Sequence, residues 1–319
     1  MDMKKLWSAI GGMLLLLASA SSVSGPSVLA LSELKISGFM SAVGSISNNE
    51  TSYSRTAQIN DEIDFGRETM LGLQIDAKLM DKLIFTTQLL ADRDPDNYSL
   101  QADWIFAKYT FNQVSSIKAG RIRSPVFMVS EFIEVGITYP WVRPPAEVYG
   151  LLPLNSVNGV EFRMNVPVLD SNLYLQGVMG NSELDTSLVS ISGKSRISAN
   201  KVLGVNALWS TDNHNFRIGY IISRLDIFDT ALATLQNLFA AGDLSGTAPL
   251  LIEALRFEFI TLGMDFSFGN ISGMLEHVRR KVGEPINAKQ YGSYLMLQYA
   301  LGKYHPHITF AIADSIGFS

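Results

Sequence analysis

The chain alternates. In Leu71-Gly72-Leu73-Gln74-Ile75-Asp76-Ala77-Lys78-Leu79, the residues Leu71, Leu73, Ile75, Ala77 and Leu79 share one face, and Gly72, Gln74, Asp76 and Lys78 the other. A period of two puts successive side chains on opposite faces of a strand. The same rhythm returns over 34–45, 83–91, 100–111, 116–122, 155–166 and 172–180, then over 202–210, 216–225, 256–268, 271–281, 291–301 and 307–313. With 71–79 this predicts an all-β chain of thirteen strands. The predicted connections run long, short, long, short. Short ones fall at 80–82, 112–115, 167–171, 211–215, 269–270 and 302–306; long ones at 46–69, 92–99, 123–154, 181–201, 226–255 and 282–290. Short turns on one side and longer loops on the other are the rhythm of a transmembrane antiparallel β-barrel. Aromatic residues sharpen that reading. Tyr109, Phe111, Trp209, Phe216, Phe266, Phe268 and Tyr299 all stand beside the short turns on the apolar faces, where one interfacial girdle belongs.

Composition fits a surface partly turned to lipid. Of 319 residues 47% are hydrophobic and only 17% charged, below the ~25% of an ordinary soluble domain. There is no cysteine, which excludes disulfides, thiol nucleophiles and cysteine-bound metals. A net charge of −5 gives no support to nucleic-acid binding. The first thirty residues read differently from the rest. Lys4 and Lys5 precede an apolar run from Leu6 to Ala18, then a small and polar stretch from Ser19 to Pro26. That order marks a secretory signal peptide over 1–30, with cleavage after Ala20 or, closer to the first strand, after Ala30. Residues 31–319 then form a single barrel domain.

Function gathers on the connection 123–154. It combines Phe127, Met128, Phe132, Ile133, Val135, Ile137, Tyr139 and Trp141 with Arg123, Glu131, Glu134, Arg143 and Glu147. A loop with hydrophobes to bury and charges to present suits folding against an inner wall. Parity turns Trp104 and Phe106 inward, so Phe127, Met128, Phe132 or Ile133 are expected to pack there. Parity also sends Lys35, Asp76, Lys78, Lys108, Lys118, Glu161, Arg163, Arg217, Asp265, Glu276 and Arg280 inward. A basic wall facing an acidic loop would set a field across the lumen. Glu131, Glu134, Arg143 and Glu147 of the loop are therefore the expected selectivity residues, with Asp76, Lys78, Lys118, Arg163 and Arg217 of the wall opposite across water. Arg121 is out of step, since its parity points outward unless a bulge intervenes.

Two local stretches carry a resemblance: Leu34-Lys35-Ile36-Ser37-Gly38-Phe39 and Ala119-Gly120-Arg121-Ile122-Arg123-Ser124-Pro125. With the leader, the alternating strands and the long third outer loop, the chain resembles Gram-negative outer-membrane porins over nearly all of 31–313. The resemblance implies a sixteen-stranded barrel, a homotrimer, outer-membrane lipid and lipopolysaccharide around it, and small hydrophilic solutes or ions passing a pore narrowed by the third loop. It also implies three further strands and a terminal aromatic residue, so the chain reads as C-terminally truncated. The alternatives are a non-conducting structural or truncated outer-membrane barrel and, less favoured, an outer-membrane enzyme.

Nothing in the sequence asks for chemistry or a cofactor. The histidines His214, His277, His305 and His307 have no partner motif, and no G-x-S-x-G or phosphate loop occurs. Asp92-Arg93-Asp94-Pro95-Asp96-Asn97 with Asp103 lacks the glycine of a calcium loop and reads as an exposed acidic loop. His305-Pro306-His307 reads as a turn rather than a metal site. Ala231, Leu232, Leu235, Leu238 and Phe239 recur at helical spacing and predict a short amphipathic helix over the rim.

Overall fold

A computed structural model describes residues 33–48, 60–65, 69–93, 98–152, 156–186, 195–229, 252–284 and 288–316. The leader (1–30), the acidic stretch 94–97 and the helix expected over 231–239 lie outside the described residues. The strands are β1 (Glu33–Ser41), β2 (Met70–Met80), β3 (Leu83–Arg93), β4 (Tyr98–Thr110), β5 (Ser115–Arg123), β6 (Ser156–Val168) and β7 (Ser171–Thr186). Then come β8 (Ser195–Ser210), β9 (His214–Asp229), β10 (Ile252–Phe268), β11 (Ile271–Val282), β12 (Lys289–Tyr299) and β13 (His307–Ile316). They form one antiparallel sheet in sequence order. Among the described residues the count matches the thirteen alternating stretches, not the sixteen strands that the resemblance implies. Among the described residues, β1 pairs with β2 alone and β13 with β12 alone.

At the long-loop ends of β7 to β10 the strands outrun the pattern because of bulges. The alternation predicts ends near 180 and 225 and starts near 202 and 256, yet β7 to β10 all reach further on the long-loop side. Register shifts fall between Gly180 and Ser182, between Asn200 and Leu203, and between Ile252 and Leu255. Lys201 and Ala254 have positive φ there. An extra residue in one strand breaks the period of two, so the sequence pattern stops while the pairing continues. Asp226 secures two of these irregularities, accepting from Asn200 Nδ2 at 2.7 Å and from the Ala254 N–H at 2.7 Å. These extended strands shorten the connections expected at 181–201 and 226–255 to 187–194 and 230–251, and β3 and β4 shorten 92–99 to 94–97.

Burial is inverted relative to a water-soluble sheet. On the outward face Leu203, Val205, Ile218, Leu262, Leu295 and Leu297 are exposed, while inward Asn206, Arg217, Thr261 and Glu276 are buried. Tyr109, Phe111, Trp209, Phe216, Phe268 and Tyr299 are likewise exposed beside the short turns. Neighbouring rings pair there, Tyr109 with Phe111 at 5.2 Å and Trp209 with Phe216 at 5.6 Å. No helix among the described residues is long and apolar enough to cross a membrane.

Glycines let three strands approach at one level. Gly120 pairs with Gly159, and Gly159 with Gly180. Gly120 has φ +137°, and a Cβ there would stand 2.8 Å from the Phe106 Cα. Only glycine fits such an approach without displacement of backbone.

Candidate functional site

The connection after β5 turns back into the curl of the sheet. Its backbone makes two short 3-10 turns, Ser130–Phe132 and Gly136–Thr138, then one helical turn, α1 (Ala146–Tyr149). Residues Ile122 to Ser130 are all buried. The opposite wall holds this segment through its main chain. Thr261 Oγ1 donates to the Val126 carbonyl at 3.0 Å, and Arg217 Nη1 to the Phe127 carbonyl at 2.8 Å. The Met128 N–H donates to Glu276 Oε1 at 2.8 Å. Further along, Arg280 donates to the Leu151 carbonyl at 3.3 Å, and Trp141 Nε1 to Thr309 Oγ1 at 2.8 Å. The loop thus touches the inward faces of β9, β10, β11 and β13, which requires the sheet to curl around it.

Glu276 is the centre of this attachment. Its carboxylate is 1% exposed and accepts from the Met128 N–H, from Tyr294 Oη at 2.8 Å and from Tyr149 Oη. A buried carboxylate is tolerable only with such a full set of donors. Burial, and next the charge of Glu276, push the Tyr149 hydroxyl far above its ordinary value, so it stays protonated and donates.

Apolar packing completes the seat, on a different wall from the one expected. Parity suggested Trp104 and Phe106 as the surface for Phe127. The Phe127 ring instead lies 4.5 Å from Tyr149 and 5.7 Å from Phe259. Leu255, Phe257, Phe259, Val278, Tyr294 and Met296 make the inner wall apolar at this level and join one core with Phe127 and Val148. Phe132 is 36% exposed. Trp104 and Phe106 contact each other edge-on at 6.4 Å and carry cations, Arg123 5.9 Å from the indole and Lys118 5.1 Å from the phenyl ring. The signal was present in sequence: Leu255, Phe257 and Phe259 occupy successive inward positions of β10, an apolar run where a lumen should be polar.

The charges meet directly rather than across water. Glu131 pairs with Arg163, and Glu134 with Arg123 at 2.9 Å. Arg163 also reaches Glu161 at 3.3 Å, and Lys118 reaches Glu161 at 3.1 Å. Burial would raise the Glu131 carboxyl, but Arg163 and next Lys118 outweigh it and hold it below the ordinary range. Arg217 faces loop carbonyls, not loop acids. Lys78 pairs with Asp81 at 3.3 Å, beside a short turn. Asp76 accepts from Thr86 Oγ1 at 2.7 Å and from Gln74 Nε2 at 2.9 Å. Arg143 and Glu147 are half-buried on the loop, Glu147 in α1 with its carbonyl against Gly292.

Several participants escaped the sequence reading. Asp103 pairs with Arg123 because the register between β3 and β4 shifts there, leaving Asp103 as an extra residue. Alternation alone cannot reveal that. Arg121 keeps its outward parity and donates Nε to the Asp103 carbonyl at 3.2 Å. Tyr149, Tyr294, Thr261 and Thr309 carry no charge and so gave no signal.

What remains open is a cleft of about 500 Å³ between the loop and the inner faces of β1 to β6. Lys35, Lys78, Lys108, Lys118 and Arg163 line it, against Glu33, Asp76 and Glu131. Polar and charged groups converge there, while the opposite half of the interior is filled by the loop.

No family model matches this sequence. No curated protein matches it either. Among solved structures the chain is similar to outer-membrane proteins. An anion-selective porin from Comamonas acidovorans is 10% identical, covering 90% of this chain and 91% of its own, with a TM-score of 0.43. The outer membrane channel DcaP of Acinetobacter baumannii is 9% identical, covering 91% and 93%, at 0.40. A loop-deletion form of OmpT, an outer membrane protein of Vibrio cholerae, is 8% identical, covering 89% and 94%, at 0.41.

Proposed function

We propose that this chain is an outer-membrane channel for passive diffusion of small hydrophilic solutes and ions, narrowed by the loop 123–154. The observation that carries this reading is the loop itself, bonded through Val126, Phe127 and Met128 to the buried inner wall while a charged cleft stays open beside it. The inverted burial supports a lipid-facing exterior, since exposed leucine and isoleucine outside with buried arginine and glutamate inside suits a bilayer and not water. No chemical step is involved: transport needs a polar path, a constriction and a gradient. Glu131, Arg163 and Lys118 are the constriction charges in this reading, with Glu134, Asp76, Lys78, Arg143, Glu147 and Arg217 setting loop position and field. Export through residues 1–30, insertion among lipid and lipopolysaccharide, and assembly as a homotrimer belong to the same proposal.

A plugged, non-conducting barrel is the competing reading, favoured by the apolar core between the loop and β10 to β12. Planar-bilayer recording on the refolded chain separates the two. Discrete conductance steps in potassium chloride support the channel; a tightly folded, membrane-inserted protein without steps supports the plug.

A further inference from the structure

We propose that the cleft contains a discrete, saturable site for small organic anions, with Lys108 meeting the anionic group and Trp104 and Phe106 seating the apolar body. This rests on the channel reading above and names the solute class for it.

The cations of the cleft are not equivalent. Lys118 is bonded to Glu161, Arg163 to Glu131 and Glu161, and Lys78 to Asp81. Lys35 and Lys108 make no ion pair among the described residues, but Lys35 is exposed and stands opposite Asp76 in the β1–β2 ladder, whereas Lys108 is partly buried in the cleft. It stands directly opposite Lys118 in the β4–β5 ladder. Like charges directly opposite on one face destabilise a sheet, and a bound anion relieves that repulsion. The carboxylates that act on Lys108, Glu161 and Glu131, do so only at a distance, since Lys118 and Arg163 hold them in ion pairs.

The surroundings of Lys108 select the kind of anion. Lys108 pairs across the strands with Ile84, and Phe106 lies two residues before it on the same face. Trp104 follows on that face, its ring edge-on to Phe106. A hydrated chloride ion gains nothing from this apolar floor. A carboxylate carried on a small ring gains both the ammonium and the burial of its body. The volume, about 500 Å³, is ample for one such molecule.

Benzoate is the probe, with acetate and benzylammonium as its charge-only and shape-only counterparts. In single-channel recordings in potassium chloride, benzoate should reduce current saturably, acetate about tenfold less effectively, and benzylammonium not at all. Lys108→Met should weaken the benzoate effect about tenfold or more, while Lys108→Arg retains it. Equal block by acetate and benzoate, or an unchanged effect in Lys108→Met, overturns the site while leaving the channel intact. If no current appears, the channel reading fails by itself. The site is then read by quenching of tryptophan fluorescence with nitrobenzoate in detergent-refolded protein: quenching lost in Trp104→Phe and weakened in Lys108→Met upholds it, and indifference to both changes overturns it.

Discussion

At Glu276 three donors from three segments converge on one carboxylate: the Met128 N–H, Tyr149 and Tyr294. Replacing it by leucine leaves those donors buried without an acceptor, at roughly 1–3 kcal/mol for each one not rescued by water. Glu276→Leu is therefore expected to lower the midpoint of heat-induced unfolding on gels and to make single-channel current noisier, while Glu276→Gln, which keeps a carbonyl acceptor, does less. Glu131 is tuned in the opposite direction. Its carboxyl is held below the ordinary value by Arg163, so its contribution is complete above the unfolded value of about 4.3 and fades as pH falls through the depressed folded value. Ion selectivity measured from reversal potentials should therefore stay flat as pH falls to the ordinary carboxylate range and move toward anions only below it. A midpoint near 6 would mean that Arg163 does not hold Glu131.

At the scale of the strand, the sequence was legible wherever the period of two was unbroken. Among the described residues each of the thirteen strands contains one of the alternating stretches, and the inward charges Lys78, Lys118, Arg163, Arg217 and Glu276 face the interior as parity requires. Legibility failed at bulges, which shift a side chain without changing composition: Asp103, Lys201 and Ala254 are all such cases. It failed again for the loop, because which wall a loop chooses depends on the complementary surface. The apolar inward run Leu255, Phe257 and Phe259 competed successfully with Trp104 and Phe106, whose rings already lie near cations. The triple glycine level lets β5, β6 and β7 approach closely, with the β4 backbone at Phe106 against Gly120. Gly120→Ala imposes both an unfavourable positive φ, about 1–3 kcal/mol, and a contact with the Phe106 backbone. It should reduce refolding yield markedly. Gly177→Ala, in β7, where nothing lies within 4 Å of the added methyl, should refold like the parent.

For the whole molecule, the decisive relation is between the loop and the curl of the sheet. The loop divides the interior into an apolar half, filled by Phe127, Val148 and their neighbours, and a charged half left as the cleft. Burying a side chain such as Phe127 contributes roughly 1.5–3 kcal/mol, and the wall's hydrogen bonds to Val126, Phe127 and Met128 add direction. Together these are enough to hold a loop against thermal motion while the strands carry the fold. Deleting residues 127–140 removes the segment that fills the lumen but leaves every strand pairing in place, so the barrel should still form and single-channel conductance should rise. Neutralising Glu131 and Glu134 together tests the same geometry without changing the bore. Arg163 and Arg123 would lose carboxylate partners and the wall would become more positive, so selectivity should move toward anions with conductance little changed. A deletion that conducts like the parent would place the loop outside the ion path. A double neutralisation that leaves selectivity unmoved would place the ion path away from Arg163.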